Sequence, residues 1–153
     1  MSKPLDTTLH SSYHLPVEIS VKALLADASG RILLLQEPNG KYHFPGGVAQ
    51  SNESLVEVLE RELWEEARLR PADLTIGKVL EYSCHWPGRT GSITVGLFVA
   101  CSVKEAPDVP LSEEHVSFVW ADPHTACQQY HMVPFSDEII ASYLKAITPE
   151  VVH

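Results

Sequence analysis

Between Val17 and Leu25 apolar and polar positions alternate among β-branched residues, a period of two that predicts a strand. Asp27 to Gly30 follows as a turn, and the apolar run from Arg31 to Gln36 completes a strand, hairpin, strand unit. Pro38, Asn39 and Gly40 make a second turn, after which Tyr42 to Phe44 reads as a short strand feeding the Pro45, Gly46, Gly47 loop. From Ser54 to about Ala67 the period lengthens to that of a helix, with no internal Gly or Pro. Leu74 to His85 and Ser92 to Val103 return to strand patterning, joined by a turn from Trp86 to Gly91. Glu105 to Ser112 is a Pro-rich loop and Val116 to Trp120 a last short strand. Asp122 and Pro123 open a further helix, and Ser136, Asp137 and Glu138 open a final one. Strands interleaved with two or three helices, without regular βαβ alternation, predict a mixed α/β sandwich. Residues 1–15 are polar and predict a loose N-terminal arm. With no repeat, low-complexity tract or linker, residues 1–153 are expected to form one domain.

The predicted helix carries the chemistry. On a wheel at about 100° per residue, Leu55, Val56, Val58, Leu59 and Leu63 form one broad apolar arc. Glu62 and Glu66 fall inside it, about 40° apart, and Glu65 lies roughly 60° from Glu62. Glu57, Glu60 and Trp64 point the other way. A carboxylate on the core side of an amphipathic helix needs a partner, because an unpaired buried charge is costly. A hard divalent cation bound by carboxylate oxygens is the natural one. The competing reading of an acidic run is a solvated helix face.

Composition narrows the partners. A net charge of −9 argues against general nucleic-acid binding, which needs a basic face. It leaves phosphorylated small molecules open, since a bound cation inverts the local field. Cys84, Cys101 and Cys127 form no CxxC and read as thiols of a reducing compartment. The histidines show no zinc spacing; His10 and His14 are four apart, but in the polar arm. Neither a signal peptide nor an apolar run near 18 residues is present, so a cytoplasmic protein with no membrane contact is expected.

Gly47, Glu53, Arg61, Glu62, Leu63, Glu65, Glu66 and Leu69, preceded by Phe44, Pro45 and Gly46, stand at fixed spacings. This pattern resembles the Nudix hydrolase signature, G-x5-E-x7-R-E-U-x-E-E-x-G-U with U aliphatic. The last Gly is the one departure: Arg68 stands there. In the family that Gly closes the helix, where a left-handed residue is common; an Arg with positive φ costs about 1 kcal/mol. Arg70 before Pro71 gives a second stop signal. The resemblance implies an α/β/α fold, a mixed β-sheet sandwiched between helices with a loop–helix–loop catalytic motif. Hydrolysis of a diphosphate needs cations on the phosphate oxygens, an activated water and in-line placement. Mg²⁺ or Mn²⁺ suits an all-oxygen site, and several carboxylates can hold more than one ion. Glu62, Glu65 and Glu66 are the expected metal ligands, with the Gly46 carbonyl added by resemblance. Arg61 is expected to orient carboxylates such as Glu53 rather than touch substrate, against the alternative of an ordinary surface ion pair.

Downstream, Leu111-Ser-Glu-Glu114-His115, followed by a strand ending in Trp120, is similar to a stretch of the dinucleoside tetraphosphate hydrolases within the family. By that similarity Glu114 is a ligand or general base; otherwise it is a solvated carboxylate and Trp120 simple core. Ser83, Trp86 and Pro87 show a weaker similarity to a signature of NADH pyrophosphatases, read here as a turn bordering a base or sugar pocket. Tyr42, His43 and Phe44 are candidate pocket residues, with Lys41 and Arg89 as phosphate contacts. The expected activity is metal-dependent cleavage of a diphosphate linkage in a nucleoside diphosphate derivative. Dinucleoside polyphosphates, nucleotide sugars and nucleoside triphosphates all qualify. The alternative is a Nudix-like nucleotide-binding or sensing module without hydrolysis. A homodimer is left open.

Overall fold

In the computed structural model residues 16–88 and 91–149 are described, so the predicted arm and Arg89 lie outside the described residues. The elements run β1 (Val17–Ala26), β2 (Ile32–Gln36), β3 (Tyr42–His43), β4 (Gly46–Val48), α1 (Leu55–Ala67), a 3-10 turn (Pro71–Asp73), β5 (Leu74–Pro87), β6 (Ile93–Val103), β7 (Ser117–Ala121), α2 (Ala126–Gln129) and α3 (Ser136–Ile147). The strands form one mixed sheet in the order β3-β2-β1-β6-β5, with β4 also on β1 and β7 on β2. β1 and β6 are parallel in register from Val17 with Ile93 to Ala26 with Ser102, and the remaining pairs are antiparallel.

The alternation of β1 sorts its side chains between two cores. Val21, Ala23 and Leu25 join Leu33 and Leu35 under Val58, Leu59, Leu63 and Ala67 of α1. Leu24 joins Ile32, Leu34, Phe44 and Phe98 under Ile139, Ile140 and Tyr143 of α3. Helices therefore cover both faces of the sheet, the predicted α/β/α sandwich. Each fully buried Leu contributes roughly 1.5–3 kcal/mol over leaving it exposed.

Helix α1 starts where the sequence places it. Ser54 is its N-cap in a capping box with Glu57, each side chain bonding the other's backbone N–H. Its buried apolar arc is narrower than the wheel suggests, since Leu55 and Val56 are 37% and 44% exposed. Three expectations are corrected. The Gly loop is itself a strand, β4, pairing Gly46 with Lys22 and Gly47 with Val21. β5 runs through Trp86 and Pro87, paired with Thr94 and Ile93, so the turn begins at Gly88. Asp122 and Pro123 form a turn, and the short α2 starts only at Ala126. At α3, Ser136 is already helical and donates to the Val133 carbonyl at 2.6 Å, while Phe135 takes the cap position with φ of 71°.

Candidate active site

α1 meets β4 where the backbone has no room for side chains. A Cβ on Gly46 would lie 2.1 Å from the Val21 carbonyl oxygen, and its φ of 136° belongs to glycine. A Cβ on Gly47 would fall within 2.9 Å of all three atoms of the Glu62 carboxyl group. Glycine at both positions lets the loop lie directly against the carboxylates of α1.

Glu66 sits in that contact. The Gly46 N–H donates to Oε1 at 2.7 Å, and His115 Nε2 lies 3.2 Å from Oε2. The Glu66 side chain is only 9% exposed, and burial pushes its pKa up to about 7. Lys22 and the Gly46 N–H oppose that rise, and Glu62 and Glu114 reinforce it. Burial also holds His115 below the ordinary histidine range, against the pull of Glu114. Lys22 Nζ donates to the Gly46 carbonyl at 3.2 Å. Burial lowers the pKa of this ammonium, against the pull of Glu66, Glu62 and Glu37.

Arg61 forms the second half of the site. Its Nε and one terminal nitrogen grip Glu53 at 2.7 and 2.9 Å, a bidentate fork. The guanidinium also donates to Glu62 Oε1 at 2.8 Å and to the Val48 carbonyl at 3.1 Å, and stands 3.6 Å from Glu65. Arg61 first, then the Gln50 N–H, holds the Glu53 carboxyl below the usual carboxylate range. Arg61 thus ties α1, β4 and the preceding turn together through charged hydrogen bonds.

Arg68 ends the helix in the left-handed region, φ 54° and ψ 32°, its N–H on the Trp64 carbonyl at 3.0 Å. Its guanidinium lies 5.3 Å from the Trp64 ring centroid, a cation–π contact of about 0.5–1 kcal/mol that offsets part of the strain.

Beside this cluster opens a cavity of about 360 Å³, lined among others by Lys22, Glu37, His43, Phe44, Trp86 and Phe135. Of the candidate pocket residues, His43 and Phe44 face it, whereas Lys41 and Tyr42 are not among its lining. Tyr42 is anchored instead to the segment before α3, its ring 5.0 Å from Tyr130 and its N–H on the His131 carbonyl. Glu114 is exposed on the loop before β7, next to the buried His115, and Trp120 packs against the α1 core.

Lys22, Glu37 and His115 belong to the site, yet sequence reasoning assigned them no role. The period of two in β1 puts Ser20 and Lys22 on a polar face, normally the solvent face; here that face is covered and Ser20 is 3% exposed. The continuous apolar run Ala23-Leu24-Leu25 was the available sign that both faces are buried.

Comparison with known proteins identifies this arrangement. A sequence model described as NUDIX domain matches residues 16–143, and the chain belongs to that family. It is a Nudix hydrolase, acting on acid anhydrides in phosphorus-containing compounds. Among curated proteins it is similar to the CTP pyrophosphohydrolase of Escherichia coli strain K12, 28% identical over 131 residues, 82% of this chain and 91% of that one. Among solved structures it is similar to a MutT protein from Methanosarcina mazei Go1, with TM-score 0.73, 23% identity and coverage of 89% of this chain and 99% of the other. A C. elegans Ap4A hydrolase shares the fold at TM-score 0.72 and 19% identity, covering 85% and 97% of the two chains.

Proposed function

We propose that this protein is a Mg²⁺- or Mn²⁺-dependent pyrophosphohydrolase of the cytoplasm that cleaves the diphosphate linkage of a small nucleoside diphosphate derivative. A nucleoside triphosphate is the first candidate, supported by the activity of the E. coli relative. The observation that carries the reading is the buried Glu66 carboxylate on the Gly46 N–H, with Glu62 packed against Gly47. A silent binding module would have little use for acidic side chains held in such surroundings.

The donors fit a hard divalent ion. They are all oxygen, Glu66 is under-compensated in its burial, and the missing side chain at Gly47 lets the Glu62 carboxylate lie directly against the loop. Among the described residues no three acidic, His or Cys side chains already converge on one point. Glu65, exposed and 3.6 Å from Arg61, is free to swing toward Glu62 and Glu66. Glu62, Glu65, Glu66 and the Gly46 carbonyl would hold the ion, with substrate phosphates completing the coordination of a second. Bound there, it supplies charge neutralisation on the phosphates and acidifies a water.

The protein's own groups do the rest. Arg61 fixes Glu53 and Glu62 and so positions the carboxylates without touching substrate. Lys22, at the boundary of site and cavity, offers an ammonium to a phosphate oxygen. Glu114, exposed on its loop, takes the proton of the attacking water. Glu114→Gln should lower kcat about a hundredfold or more and leave metal-free stability unchanged, since an exposed loop residue makes few packing contacts. A silent Glu114→Gln would move the base to Glu113 or a carboxylate of α1. The reading itself is tested by product release from nucleoside triphosphates, dinucleoside polyphosphates and nucleotide sugars with Mg²⁺ and Mn²⁺. Turnover of at least one, abolished by chelator, is expected; tight binding without product would return the protein to the binding-module class.

A further inference from the structure

Two acceptors, His43 Nε2 and Glu37 Oε1, face each other in the cavity, and among the described residues no donor stands between them. His43 Nδ1 lies 2.9 Å from the Phe44 carbonyl oxygen. A carbonyl only accepts, so Nδ1 carries the proton and Nε2 is left as a bare lone pair. That Nε2 is buried and has no hydrogen-bond partner among the described residues, in a residue 8% exposed. Burial, then the charges of Lys22 and His115, push the ring's pKa down to about 3, which keeps it neutral. Glu37 Oε1 stands 3.9 Å from Nε2, beyond hydrogen-bond reach. The other Glu37 oxygen accepts from Asn39 at 3.1 Å. Lys22, the lysine on the cavity wall, is directed at the Gly46 carbonyl instead.

A nitrogen carrying two N–H groups fits this gap, because it can stand about 2.9 Å from both acceptors at once. The walls suit a flat ring: Phe44, Phe98 and Trp86 line the cavity. The Trp86 ring lies across Gly96, where a Cβ would approach it to 2.8 Å, so the aromatic wall depends on that glycine. We propose that the cavity takes a nucleobase by its exocyclic amino group, which donates to His43 Nε2 and Glu37 Oε1. The protein then discriminates cytosine from uracil and adenine from hypoxanthine. A keto oxygen in the same place would set a third acceptor against two, and a site built for a donor rejects the isostere that lacks it.

This inference rests on the reading of the protein as acting on nucleotides, so its test measures binding apart from turnover. Calorimetric titration with CMP, UMP, AMP and IMP should show an amino member binding roughly tenfold tighter than its keto partner. Glu37→Gln puts an amide donor in place of a carboxylate and should shrink that ratio several-fold; His43→Phe should do the same by removing Nε2. Glu37 is at the edge of a turn, so its variant folds even if the buried His43→Phe does not. Equal affinities within both pairs, no binding up to millimolar ligand, or unchanged ratios in the folded variants would overturn the proposal. Amino preference without turnover of any triphosphate, dinucleoside polyphosphate or nucleotide sugar would sink the hydrolase reading alone, and turnover without base preference would sink this one alone.

Discussion

Glu66 is held between a backbone N–H and an imidazole, and burial raises its pKa from 4.5 to about 7. A carboxyl group whose folded pKa is raised favours the fold while neutral; that stability is present below about pH 4.5 and lost as pH rises through 7. Glu66→Gln removes the charge and keeps an acceptor for Gly46. In chelator at pH 8 it should raise Tm by a few degrees, and at pH 4.5 it should leave Tm unchanged. Thermal melts at the two pH values decide this; a lower Tm at pH 8 would show that the charge stabilises the metal-free fold. Arg68 gives a second residue-scale expectation. The Trp64 contact offsets part of the left-handed strain, so Arg68→Gly should shift stability by less than about 1 kcal/mol with kcat unchanged. A large loss of turnover would mean that Arg68 acts in the site. At this scale the wheel located Glu62 and Glu66 on the inner side of α1, because helical spacing fixes direction. Lys22 escaped notice because a strand's alternation does not say whether its polar face is covered.

Among the elements, α1 was legible almost to the residue, since its cap, its period and its stop signals are all local. β4 was not, because a strand of Gly46, Gly47 and Val48 has no pattern of its own and exists through pairing with β1. That pairing separates the roles of the two glycines. Gly46→Ala forces a positive φ on a residue with Val21 backbone against its Cβ and should cost roughly 3 kcal/mol or more. Gly47→Ala meets only the movable end of Glu62, so denaturation midpoints should stay close to the parent while turnover falls at least tenfold. Equal destabilisation by both substitutions would contradict this division. α2 was misread because Asp122 spends its side chain on the His124 N–H in a turn rather than capping a helix, whereas α3 begins at Ser136, where the sequence places it. Ser136 spends its hydroxyl on Val133, and Phe135 takes the left-handed position beside the cavity.

For the whole molecule, the sheet does two things: one face presses α1 and its carboxylates onto β4, and the other builds the cavity with α3. The parallel β1–β6 pair joins them, since Lys22 of β1 reaches the site while Phe98 of β6 lines the cavity. The two-sided sandwich could be foreseen from the order of strands and helices. The cavity could not, because Glu37, His43, Trp86 and Phe135 meet only through tertiary packing. Among the described residues no helix is long and apolar enough to cross a membrane. The central claim is that water attacks phosphorus at the α1 carboxylates Glu62, Glu65 and Glu66. Hydrolysis of a nucleoside triphosphate with Mg²⁺ in ¹⁸O-labelled water, followed by mass analysis of the products, tests it most directly. The account predicts label in one phosphate product from the parent protein and a rate at least a hundredfold lower from Glu66→Gln. Label in no phosphate product, or Glu66→Gln turning over as fast as the parent, would contradict it.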